Sequence, residues 1–179
     1  TTEIYTLSLH DALPISTGKV LQAVFSILGD LEGKAFLDLF SGTGRVSLAA
    51  WNRGARPVVA VETLRDRARE IQNAVPAGAG DAFVVLSLDV RRCFSWLSKR
   101  KFRFDVVFAD PPYEVGLVAE TLSCIDRNTD VFSENCVLVI ERSVREPIAG
   151  STYGGFLLAD ERTYGESAVS FFRRKGAIP

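Results

Sequence analysis

The sequence predicts one α/β domain built on a mainly parallel β-sheet with helices on both faces. Short apolar segments alternate with amphipathic segments along most of the 179 residues. Each apolar segment is nearly continuous, as expected of a strand that is buried on both sides. The composition is 47% apolar and 24% charged, which is typical of a folded domain. No apolar run reaches the roughly 18 residues of a spanning helix, so we expect a soluble protein without membrane partners.

The elements follow one another regularly from residue 16 onward. A helix is predicted over 17–28, with Ser16 or Thr17 as its N-cap and with Gly29 and Gly33 after its end. The predicted strands lie at 35–40, 57–62, 83–89, 104–110, 136–141, 153–160 and 167–173. The further predicted helices lie at 45–53, 64–74, 91–101 and 115–126. We expect the last two strands to form an antiparallel hairpin, which makes a seven-stranded sheet.

The first 15 residues do not fit this pattern. The chain contains no methionine and one histidine, His10, which lies in the opening TTEIYTLSLHDALPIS. That opening lacks the charged start and long apolar stretch of a signal peptide, and TLSLHDALPI resembles a translated sequencing adapter. We therefore expect 1–15 to be a non-native leader and 16–179 to be the domain; a natural N-terminal arm is the alternative. Without Glu3 and Asp11 the formal net charge changes from −1 to +1, and no histidine remains.

The three cysteines do not indicate a metal site or a disulfide framework. Cys93, Cys124 and Cys136 have no metal-ligand spacing, and their number is odd. We expect a reduced, cytoplasmic compartment and no bound metal.

Candidate ligand-binding residues lie at the ends of the predicted strands, where open α/β sheets bind their ligands. Asp38 ends the first strand and precedes the glycine turn 41–44, whose backbone can approach a ligand closely. Glu62 can accept hydrogen bonds from ribose hydroxyls, and Asp89 can either accept from an adenine amino group or cap the next helix. Ser47 replaces the third glycine of the dinucleotide pattern, which disfavours a nicotinamide cofactor. Together these residues indicate an adenosine-type ligand.

The end of the fourth strand carries the most specific motif, Asp110-Pro111-Pro112-Tyr113. The two prolines fix the backbone and remove two N–H donors, so the turn presents acceptors without competing donors. The Asp110 carboxylate and the Pro111 carbonyl can orient a planar amino group, and Tyr113 offers a face on which a base can stack. A rigid turn with a surface tyrosine is the structural alternative. After the fourth strand of this architecture, the motif favours amino-group chemistry on a base that is unpaired or flipped outward.

These motifs resemble the class I S-adenosylmethionine-dependent methyltransferases that methylate amino groups. More narrowly, TGKVLQAVFSIL, FLDLFSGTGRVSLAAWNRGA, FDVVFADPPY and ERTYGESAVSFFR resemble the bacterial RsmD family, which methylates a guanine N2 amino group of 16S ribosomal RNA. The resemblance implies a Rossmann-like methyltransferase fold and S-adenosylmethionine as cofactor. It implies a monomer acting in the cytoplasm on 16S rRNA, in an assembled small-subunit particle.

The same resemblance assigns roles to individual residues. It implies that the cofactor is bound by Asp38, Phe40, Ser41, Gly42, Gly44, Glu62 and Asp89. The catalytic turn that it implies consists of Asp110, Pro111, Pro112 and Tyr113. The chain departs from the family at Ala50, where glutamate is usual, and in lacking the basic N-terminal segment that forms an RNA-binding hairpin. The alternatives are a DNA adenine-N6 or cytosine-N4 methyltransferase and an inactive, truncated module that binds S-adenosylmethionine.

Overall fold

A computed structural model describes residues 17–113 and 115–174 of the chain. Its helices are α1 (Thr17–Leu28), α2 (Arg45–Trp51), α3 (Arg65–Ala74), α4 (Val90–Lys99) and α5 (Leu117–Arg127). Its strands are β1 (Phe36–Asp38), β2 (Val58–Val61), β3 (Phe83–Leu86), β4 (Phe104–Ala109), β5 (Phe132–Ser143), β6 (Thr152–Tyr153), β7 (Phe156–Tyr164) and β8 (Ser167–Arg174). The predicted leader, 1–15, lies outside the described residues. None of the described helices is long and apolar enough to cross a membrane.

All eight strands belong to one sheet in the order β3-β2-β1-β4-β5-β8-β7-β6. Neighbouring strands from β3 to β5 pair in parallel, whereas β8, β7 and β6 pair antiparallel. The α/β class, the mainly parallel sheet and the C-terminal antiparallel hairpin are therefore confirmed.

The expected count of seven strands was one too low. Gly154 and Gly155 have φ angles of +54° and +82°, a left-handed conformation that favours glycine, and they form a turn inside the predicted strand 153–160. The turn separates the short strand β6 from β7, which begins at Phe156 and continues to Tyr164. The strand prediction missed this turn because Tyr153 and the apolar residues 156–159 lie close enough in sequence to be taken as one strand.

Two groups of buried side chains cover the two faces of the sheet. Val24 of α1 and Ile71 of α3 pack with Phe36, while Phe94 of α4 and Leu122 of α5 pack with Leu37. Phe36 and Leu37 are consecutive residues of β1 and are both fully buried, so this strand has no solvent-facing side. The three-layer arrangement explains why the predicted strands are almost continuously apolar.

The connections leave a crevice between β1 and β4. After β1 the chain enters α2, which packs with α1 and α3, and after β4 it enters α5, which packs with α4 on the opposite face. Because consecutive connections diverge here, the carboxyl ends of β1 and β4 border an opening above the sheet. This switch point is where the sequence predicts the ligand site.

Candidate active site

A cleft of about 220 Å³ lies at the carboxyl ends of β1 and β4. Its lining residues are Leu21, Phe40, Ser41, Gly42, Thr43, Arg45, Val46, Phe108, Asp110 and Glu141. Four of them, Phe40, Ser41, Gly42 and Asp110, are predicted site residues. The other predicted residues surround this cleft or lie further along the same edge of the sheet.

Asp38 lies beneath the glycine turn, where it is fully buried. One carboxylate oxygen, Oδ2, accepts a hydrogen bond of 2.5 Å from the Ser47 hydroxyl, and the Ser41 hydroxyl donates to the Asp38 carbonyl at 3.1 Å. Burial raises the pKa of Asp38 to about 6. The other oxygen, Oδ1, is buried and has no hydrogen-bond partner among the described residues. Asp38 therefore ties the turn to α2 and leaves a buried acceptor next to the cleft.

Glu62 fixes the position of the same turn from the neighbouring strand. Its Oε2 accepts a hydrogen bond of 2.8 Å from the backbone N–H of Gly42, and its Oε1 accepts one of 2.8 Å from the N–H of Leu64. Gly44 follows with φ +78°, and a Cβ there would lie 3.0 Å from Ile71. The glycine at this position is thus required both by its backbone conformation and by the close packing of α3.

Asp89 caps α4, which is the second of the two roles that the sequence predicts for it. Its carboxylate accepts from the backbone N–H of Arg91 at 2.9 Å and from the Arg91 guanidinium at 2.7 and 2.8 Å. These bonds with Arg91 lower the pKa of Asp89 below its ordinary value. The adenine contact stays a prediction, and it requires the ligand to share this carboxylate with Arg91.

The Asp110–Tyr113 turn leaves β4 at the edge of the cleft. Pro111 is buried, whereas Tyr113 is 40% exposed. The Tyr113 hydroxyl lies 2.9 Å from the Ser167 hydroxyl of β8 and 3.4 Å from Oε1 of Glu141 on β5. Its partial burial raises the pKa of Tyr113 to about 12, so the phenol stays protonated. Two strands thus hold the hydroxyl end of a ring that solvent can reach.

Carboxylates concentrate around this turn. Asp110 keeps an exposed surface toward the cleft, but the surrounding protein removes much of its hydration. This desolvation, together with the smaller effect of the negative charges of Glu141 and Asp38, raises the pKa of Asp110 from the ordinary 3.8 to about 8. Desolvation raises the pKa of Glu141 as well. The cleft therefore holds two carboxyl groups that ionise less readily than ordinary ones.

The Asp110→Asn variant is expected to be more stable than the parent protein in alkaline, ligand-free solution. A carboxyl group whose pKa is raised by folding stabilises the fold only while it is protonated, so this stability is lost as the pH rises from 3.8 to about 8. Asparagine has no charge to desolvate. The difference in melting temperature, followed by circular dichroism, should be near zero below about pH 4 and positive at about pH 9. Equal differences at both pH values would contradict the raised pKa.

Three site residues were not predicted from the sequence. Glu141, at the end of the predicted fifth strand, could have been found because the ends of the other strands carried the candidate acids. Ser47 was noted for the missing glycine, but its bond to Asp38 depends on the first turn of α2. Ser167 approaches Tyr113 through the pairing of β8 with β5, which the local sequence does not indicate.

The strand order and the acid-lined cleft define an α/β methyltransferase fold. The chain belongs to the family described as "Conserved hypothetical protein 95", whose model matches residues 3–173. The expected relationship to RsmD-type methyltransferases is thereby confirmed.

The similar proteins agree with this family. "Putative rRNA methyltransferase YlbH" of Bacillus subtilis is 27% identical over 90% of this chain and 88% of its own. "Ribosomal RNA small subunit methyltransferase D" of Escherichia coli is 26% identical over 89% of this chain and 79% of its own. A solved structure of a conserved hypothetical protein from Streptococcus pyogenes has a TM-score of 0.75 and 27% identity, and the match covers 88% of this chain and 96% of that one.

Proposed function

We propose that this protein transfers a methyl group from S-adenosylmethionine to the exocyclic N2 amino group of a guanine in 16S ribosomal RNA. The observation that carries the proposal is the position of the Asp110 turn beside the glycine-turn cleft. It supports the proposal because the turn would offer acceptors for an amino group beside the site proposed for the cofactor. The names of the two curated relatives favour ribosomal RNA as the substrate.

The residues of the cleft fit S-adenosylmethionine. The cofactor carries positive charge on its sulfonium and amino groups, and Glu141 lines the cleft while Asp38 lies behind its loop. The buried Oδ1 of Asp38 is an acceptor without a partner among the described residues. Phe40, Ser41 and Gly42 would hold the methionine part together with Asp38 and Gly44. Glu62 would accept from the ribose and Asp89 from the adenine.

The catalytic turn would act by orienting the amino group. When bound, S-adenosylmethionine supplies a methyl group activated by its positive sulfur. The guanine amino lone pair is delocalised into the ring, so the Asp110 carboxylate and the Pro111 carbonyl would accept its two N–H bonds and direct the lone pair outward. Tyr113 would stack on the base, and Pro112 would keep the turn rigid. Orientation of this kind contributes up to about 7–11 kcal/mol to catalysis.

Asp110 would also accept the proton that the amino group loses. The ionised form of Asp110, which grows as the pH approaches 8, is a stronger base than an ordinary aspartate, because a raised pKa means a more favourable protonation. The described residues contain no histidine, so no imidazole is available there for this role. We assign the acceptance of this proton to Asp110, and Glu141 takes no part in this step.

Transfer of radiolabelled methyl groups tests this function. The purified chain is incubated with methyl-labelled S-adenosylmethionine and either small ribosomal subunits lacking the modification or naked DNA. Label in 16S RNA supports the proposal. Label in DNA alone would show an adenine-N6 or cytosine-N4 methyltransferase instead. Cofactor binding without label in either substrate would show a binding module that is inactive as it stands.

A further inference from the structure

The second carboxylate of the cleft, Glu141, has no role toward the substrate in the function proposed above. In the β4–β5 ladder Ala109 pairs with Ile140, so Asp110 and Glu141 occupy the next positions on neighbouring parallel strands. Ala109 and Ile140 pack into the same core on one face of the sheet. Because side chains alternate along a strand, Asp110 and Glu141 both face the other side, where they line the cleft together.

Glu141 lies beside two hydroxyl groups at the edge of the cleft. Its Oε1 lies 3.4 Å from the Tyr113 hydroxyl, which also lies 2.9 Å from the hydroxyl of Ser167. Its residue is only partly exposed, and desolvation raises its pKa. The hydroxyls of Tyr113 and Ser167 lower the pKa of Glu141, but desolvation outweighs them. This half-buried carboxylate next to another one therefore still costs free energy unless a ligand donates hydrogen bonds to it. The cost of keeping Glu141 here points to a donor on the substrate.

The two adjacent carboxylates match one edge of guanine. That edge presents two neighbouring donors, the N2 amino group and the N1–H, whereas adenine presents an unprotonated N1 beside its amino group. If Asp110 accepts from the amino group, a carboxylate one strand away is placed to accept from the adjacent ring N–H. The same carboxylate repels the N1 lone pair of adenine, because both are acceptors.

We propose that Glu141 is a specificity-determining residue that accepts the N1–H of the target guanine and thereby excludes bases whose N1 is an acceptor. This inference rests on the proposed function, since it requires amino-group transfer at the Asp110 turn. The alternative is that Glu141 serves only to anchor the Tyr113 ring through its contact with the hydroxyl.

The test uses 2-aminopurine, which keeps the 2-amino group of guanine but has an unprotonated N1. The position that the parent protein labels is first mapped, and small subunits are then reconstituted with guanine or 2-aminopurine at that position. The measured quantity is the ratio of kcat/KM for the two bases. The parent is expected to prefer guanine by at least about 10-fold, the effect of one hydrogen bond to a charged group.

Glu141→Gln is expected to lower this preference by about 10-fold, because its amide can donate to the N1 of 2-aminopurine as well as accept from guanine. Tyr113→Phe is the matched control, since it removes the contact with the hydroxyl and keeps the carboxylate; it should change the preference by less than about 2-fold. An unchanged preference in Glu141→Gln would overturn the proposal. So would an equal loss in Tyr113→Phe, because Glu141 would then act only through the tyrosine.

Failure of the proposed function gives a different result. The parent would then label no guanine in small subunits, although it binds S-adenosylmethionine in calorimetry, and the proposal for Glu141 would fall with it. If the parent labels a guanine and only the base preference is insensitive to Glu141, the proposed function stands and the role of Glu141 is rejected. Circular dichroism of each variant establishes that the comparison concerns folded protein.

Discussion

The Asp110→Ala variant is expected to lose methyl transfer while its affinity for S-adenosylmethionine stays within about 3-fold of the parent value. The carboxylate is the acceptor proposed to orient the amino group and to take its proton, so kcat should fall by at least about 100-fold. Removal of the side chain leaves the glycine turn intact, because Asp38 and Glu62 hold that turn through their own hydrogen bonds. Transfer assays and calorimetry separate the two effects.

Asp81→Ala serves as the matched control for this prediction. Asp81 is exposed and lies in the short helical turn before β3, away from the cleft residues. Its replacement should change neither transfer nor cofactor affinity. A large loss of cofactor binding in Asp110→Ala would mean that the turn binds the cofactor and does not orient the substrate, and the catalytic assignment would be wrong.

The Glu62→Ala variant is expected to weaken cofactor binding by at least about 10-fold and to destabilise the fold by about 2 kcal/mol. Two backbone N–H groups, those of Gly42 and Leu64, donate to its carboxylate, and both would lose their partner in a partly buried place. The glycine turn would lose its link to β2, and the cofactor would lose the acceptor proposed for its ribose. Calorimetry gives the affinity, and urea unfolding gives the free energy of unfolding.

Glu134→Ala is the corresponding control, since Glu134 is exposed near the beginning of β5, at the far end of that strand from Glu141. It should leave both the affinity and the unfolding free energy unchanged. Normal cofactor affinity in Glu62→Ala would show that the carboxylate has only a structural role.

The features that depend on the local pattern of residues could be predicted from the sequence. The strands β1 to β5 were placed by continuous apolar runs, and the switch point followed from the alternation of strands and helices. The glycine turn and the Asp110 turn were predicted at the strand ends, and the structure brings Ser41, Gly42 and Asp110 to one cleft. Their common location could be predicted because parallel strands end at the same edge of a sheet, and the binding and catalytic roles of these residues stay predictions.

Features that depend on pairing between distant segments were not predicted. Glu141 becomes a neighbour of Asp110 only through the β4–β5 register, and Ser167 reaches Tyr113 only through antiparallel β8. The bidentate pair of Asp89 with Arg91 depends on a side-chain conformation at the start of α4. Local composition contains no signal for the relative position of two strands that lie far apart in the chain.

The identity of the methylated nucleoside tests the central claim most directly. Small subunits lacking the modification are incubated with the protein and labelled S-adenosylmethionine, and the 16S RNA is digested to nucleosides for chromatography and mass spectrometry. We expect the label to elute as N2-methylguanosine and to disappear with Asp110→Ala. Label in methylated adenosine or cytidine, or label in guanosine that persists in Asp110→Ala, would contradict it.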